Sequence, residues 1–124
     1  MKEARVVLFD VESGKMDVVM CKSLDDYYKY LKCDCFDIAV RHVKGREFDI
    51  YVDDEGLLKE HPLVSAVDSE KHPALVGNLI FAHHDSHGNT TSVTDDDIEF
   101  LKCRVWFGVT PSGDLLNFIH PVDY

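Results

Sequence analysis

Residues Phe36–Val52, FDIAVRHVKGREFDIYV, alternate apolar and polar side chains on either side of a Lys44–Gly45 step. Alternation with a period of two marks a half-buried strand, and glycine lets a chain reverse tightly, so this segment predicts a hairpin of Phe36–Val43 with Glu47–Val52. The same pattern recurs outward in both directions. Upstream, ARVVLFD (Ala4–Asp10) and MDVVMC (Met16–Cys21) flank a turn that contains Gly14. Downstream, VWFGVT (Val105–Thr110) and LLNFIH (Leu115–His120) flank Pro111-Ser112-Gly113-Asp114. The most apolar run, LVGNLIFAH (Leu75–His83), reads as a central strand, with Asp85–Asn89 as its loop.

Two helices punctuate these hairpins. Ser23 is suited to cap a helix that carries Asp25 and Asp26 in its first turn and Leu24, Tyr27, Tyr28 and Leu31 at three-to-four spacing. Thr94, with Asp97 three residues on, resembles a capping box and starts a second helix over Asp95–Cys103 through Ile98 and Leu101. Leu57–Val67 is broken by Pro62 and predicts a short helix or an irregular loop. Hairpins outnumber helices, so the expected class is α+β, with a mostly antiparallel sheet and two short helices in one domain over 1–124.

The chain has 124 residues, 45% of them hydrophobic, enough for one modest core. Its 13 basic and 23 acidic residues leave a net charge of −10, which repels a phosphate backbone and argues against duplex nucleic acid as a partner. A small anionic nucleotide is not excluded, because a few arginines gathered in one place dominate locally. No apolar run approaches the ~18 residues of a membrane span, so no membrane partner is expected. Cys21, Cys33, Cys35 and Cys103 lack the paired spacing of a zinc site, and nothing like a signal peptide precedes the first strand. Reduced thiols in a cytoplasm follow from this.

Ligand-capable side chains crowd the second half. His83, His84, Asp85 and His87 offer metal-ligand chemistry. Neighbours on a strand point to opposite faces, so His83 and His84 cannot both serve one ion. That leaves His83, Asp85 and His87 as the metal set of a hydrolase acting on a small phosphorylated nucleotide, against the plainer reading of a polar strand end. Arg41, Arg46 and Arg104 are three of only four arginines, and guanidinium groups bind phosphate in a fork, though each could equally neutralise a carboxylate. Tyr28, Phe81, Trp106, Phe107 and Phe118 either stack on a base or fill the core. Asn89, Thr90, Thr91 and Ser92 supply amide and hydroxyl groups beside the second helix, whose Asp95, Asp96 and Asp97 would oppose an anion. The chain has no GxSxG, phosphate-binding glycine loop or HExxH, which shifts weight from catalysis to binding without a cofactor.

Three blocks, KGREFDIYVDDEGLLKEHPLVSAVD (44–68), LVGNLIFAHHD (75–85) and TSVTDDDIEFL (91–101), resemble the small phage anti-Thoeris "sponge" proteins that capture cyclic ADP-ribose isomers. The resemblance implies a small α+β homo-oligomer in the cytoplasm of an infected bacterium. It would hold a signalling nucleotide, notably glycocyclic ADP-ribose, without cleaving it, and take cyclic oligonucleotides at a separate site. On the same basis Phe81 would stack on the base, Asn89 would make a polar contact with Thr91 or Ser92 as substitutes, Arg104 would bind phosphate, and Asp54 with Glu55 would receive ribose hydroxyls. The competing expectation is an acidic inhibitor that binds another protein.

Overall fold

The computed structural model describes residues 3–124, which form two β-sheets and two α-helices. The larger sheet runs β11 (Val122–Asp123), β3 (Phe36–Val43), β4 (Arg46–Asp53), β7 (Leu79–His84), β1 (Ala4–Asp10) and β2 (Lys15–Cys21), with β8 (Thr90–Thr91) paired to the end of β7. The smaller sheet runs β6 (Pro73–Val76), β5 (Val64–Val67), β10 (Leu115–Ile119) and β9 (Val105–Val109). Neighbours are antiparallel except β5 with β10. The three expected hairpins are β1–β2, β3–β4 and β9–β10. Among the described residues no helix is long and apolar enough to cross a membrane.

Strand alternation gives the larger sheet two covered faces. On one, Val7, Phe9, Phe48, Ile50, Leu79 and Phe81 pack against Ala66 and Ile119 of the smaller sheet and Ile98 and Leu101 of α2 (Asp95–Lys102). On the other, Val6, Leu8, Tyr51, Ile80 and Ala82 pack against Tyr27 and Leu31 of α1 (Leu24–Leu31). Tyr27 stacks on Tyr51 at 4.5 Å between ring centroids, a pair that contributes roughly 1 kcal/mol beyond its burial. Both helices open with a capping box, Ser23 with Asp26 and Thr94 with Asp97. Each box satisfies N–H groups that a first turn otherwise leaves unbonded.

The run Leu75–His83 is not one strand. The chain leaves the smaller sheet after Val76, and β7 begins in the larger sheet at Leu79. Gly77, at φ +78°, makes the crossing, and its N–H bonds to the Leu63 carbonyl. Asn78 fixes it, accepting from Val11 N at 3.1 Å and donating to Tyr30 O at 3.0 Å. Apolarity marked both strands as buried, but it carries no information about which sheet a strand joins. Likewise Leu57–Val67 holds a 3-10 turn at Gly56–Leu58 and then strand β5 after Pro62.

Candidate functional site

The residues singled out in the sequence fall into separate places. Arg46 opens β4 and Asp54 follows its far end, roughly 25 Å away along an extended strand. Asp54 lies with Val52, Gly56, Leu57, Ala74 and Val76 around a cavity of about 240 Å³. Arg41 turns to the β11 edge, where its guanidinium lies 4.1 Å from the Tyr124 ring centroid. Asn89 serves its own loop, donating twice to the Asp85 carboxylate and accepting from Asp85 N. Ser92 Oγ accepts from Arg5 N at 2.8 Å.

Phe81 is the clearest correction. Its ring is fully enclosed and meets Phe48 edge to face at 5.8 Å, so it has no surface to offer a base. β7 alternates, and Phe81 sits on the face that α2 and the smaller sheet cover. The metal set is corrected as well. His83 turns to α2, while Asp85 caps the loop by accepting from His87 N, so His83, Asp85 and His87 do not converge. No group of three or more His, Cys, Asp or Glu among the described residues is placed to hold an ion.

What does converge surrounds α2. Asp97, 6% exposed, accepts from His83 Nε2 at 2.8 Å, Arg46 Nη1 at 3.1 Å and Thr94 N at 2.9 Å. Burial pushes its carboxyl up, but the hydrogen bonds from Thr94 and His83 outweigh this and leave it below its ordinary value of 3.8. Arg46 also reaches Asp96 at 3.0 Å. Its guanidinium lies 4.0 Å from the Phe100 ring centroid, and that of Arg104 lies 4.7 Å from the same ring. Phe100 thus carries both cations. His83 stacks on Phe48 at 5.0 Å, and Thr91 is its register partner on β8, on the same sheet face. Arg104 makes no ion pair among the described residues, and its Nε is buried without a hydrogen-bond partner.

Across the sheet, the half-exposed imidazole of His84 bonds through Nδ1 to Asp49 at 2.7 Å. The hydrogen bond to Asp49 and its charge raise His84 above 6.5. The two adjacent histidines therefore form two carboxylate pairs on opposite faces, as strand alternation requires. Phe100, Asp97 and Asp49 were not recognised as site residues. Phe100 reads in sequence only as one more apolar position of a short helix, and beyond the Thr94–Asp97 capping box no motif announces the histidine that either aspartate meets.

The fold and this site define a two-sheet α+β domain with a face around helix α2 where Arg46, Phe100, Arg104 and the His83–Asp97 pair meet. The chain belongs to the family described as Domain of unknown function (DUF3846), whose model matches residues 1–105 and so contains every residue of that face. No curated protein and no solved structure matches the chain.

Proposed function

We propose that this protein captures a small anionic nucleotide at the Arg46, Phe100 and Arg104 face and holds it without cleavage, as a phage anti-defence protein in the cytoplasm of the infected host. The observation that carries the reading is Arg104, a guanidinium held on Phe100 with no carboxylate partner among the described residues, in a chain of net charge −10. A phosphate supplies the acceptor that Arg104 lacks, and charge-assisted bonds of this type contribute about 1.5–3 kcal/mol each. The sequence blocks that resemble cyclic ADP-ribose sponges supply the ligand class, a cyclic ADP-ribose isomer. Sequestration needs affinity and slow release, not an activated nucleophile.

The acidic first turn of α2 limits where the phosphate sits. Asp96 and Asp97 already engage Arg46, so the anion belongs on the Arg104 side of Phe100. Calorimetric titration with a panel of cyclic ADP-ribose isomers and cyclic oligonucleotides tests this. Arg104→Ala should weaken binding roughly 10- to 100-fold, with the melting temperature unchanged. Equal affinity in wild type and variant would remove Arg104 from the site.

A further inference from the structure

The hairpin β9–β10 exposes more apolar surface than its size explains. Phe107, Val109 and Leu115 share one face and are 71%, 62% and 69% exposed, while Trp106, on the opposite face, is 52% exposed. Contiguous patches of this kind mark interaction sites more often than isolated apolar residues do. The family match ends at Val105, the first residue of β9, so the rest of the hairpin falls outside it. β9 is also a terminal strand of the smaller sheet, and among the described residues nothing pairs with its outer side.

Hydrogen bonds at the two ends of the hairpin fix which residues face that open side. His120 N donates to Arg104 O, and Thr110 N donates to Asp114 O. Antiparallel ladders alternate, so Arg104, Trp106, Gly108 and Thr110 bond toward β10, while Val105, Phe107 and Val109 turn their N–H and C=O groups outward. An unpaired row of this kind is a template for another strand.

We propose that the occupant is a second copy of this chain, whose β9 pairs antiparallel with the first about a two-fold axis at Phe107. In that register Phe107 faces Phe107 and Val105 faces Val109, so the outward donors and acceptors satisfy one another and the two smaller sheets become one. Charge selects the second copy. Val105–Ile119 carries a single charged residue, Asp114, so two chains of net charge −10 repel least along this edge. The two-fold also brings Lys102, before β9, toward the Thr110–Asp114 turn of the second copy, which places opposite charges together. The pairing stands independently of the nucleotide reading.

Charge swapping at the axis tests it. Wild type, Phe107→Glu, Phe107→Lys and an equimolar mixture of the two variants are compared by sedimentation velocity, without ligand, from about 1 to 100 µM, where small interfaces dissociate. Circular dichroism verifies that each variant is folded. The expected result is a wild-type dimer, two monomeric variants in which like charges meet at the axis, and a dimer restored in the mixture. A monomeric wild type would leave the edge to a foreign strand and overturn the proposal. Variants that still dimerise alone, or a mixture that stays monomeric, would place any self-association elsewhere and overturn it as well.

Discussion

His83 Nε2 lies 2.8 Å from Asp97 Oδ2 and ties the end of β7 to the first turn of α2. The same carboxylate caps the helix through Thr94 and holds Arg46 of β4, so three elements meet on one buried group. Replacing it removes the capping bond and the bonds to His83 and Arg46 together, while Arg46 keeps Asp96. Asp97→Ala should therefore cost about 1–2 kcal/mol, the scale of a lost helix cap. The urea midpoint reads this directly, and a loss below about 0.5 kcal/mol, as at an ordinary surface position, would show that Asp97 does not organise the site.

The two carboxylate–histidine pairs impose opposite pH dependences. Asp97 is depressed below 3.8, so its contribution is present above that value and fades as pH falls through its folded pKa. His84 is raised above 6.5, so its contribution is complete below 6.5 and is lost as pH rises through its folded pKa. Asp49→Asn should return the His84 titration toward 6.5, seen in its ring-proton chemical shifts, and abolish the alkaline limb. A titration unchanged by the substitution would rule out the Asp49 bond as its cause.

Gly56 permits the close approach of the 3-10 turn to β6. A Cβ there would stand 2.7 Å from Val76 Cγ2. Gly56→Ala should destabilise by about 1–3 kcal/mol through overpacking, and Val76→Ala in the same chain should recover part of that loss. Additive losses in the double variant, measured by thermal melts, would mean the two side chains never meet.

The four thiols should react in two groups. Burial, with the nearby charge of Asp26, pushes Cys21 up to about 11, and burial near Asp53 does the same for Cys33. Cys35 and Cys103 are exposed. Because the thiolate is the nucleophile, timed alkylation of native protein followed by peptide mass mapping should modify Cys35 and Cys103 first. Cys21 should react only on unfolding, and its early labelling would contradict the packing of β2 against α1.

The local grammar of the chain was legible. Alternation over Phe36–Val52 and the glycine at position 45 gave the hairpin β3–β4, and Ser23 and Thr94 gave both helix starts. The division into two sheets was not, because Gly77 redirects the chain inside a single apolar run and nothing local states which strands are neighbours. The candidate site was not legible as a place. Arg46 and Arg104 come together because Phe100 carries both, a relation spanning β4 and the end of α2. Phe81 misled because an aromatic in a strand looks the same in sequence whether it faces a ligand or the core.

The most direct measurement of the central claim is chemical. Purified protein is incubated with glycocyclic ADP-ribose, free ligand is removed by filtration, the protein is heat-denatured, and the released molecule is identified by mass spectrometry. Capture without cleavage predicts stoichiometric recovery of the intact nucleotide from wild type and little from Arg104→Ala. Recovery of a cleaved product, or no depletion of ligand by wild type, would contradict it.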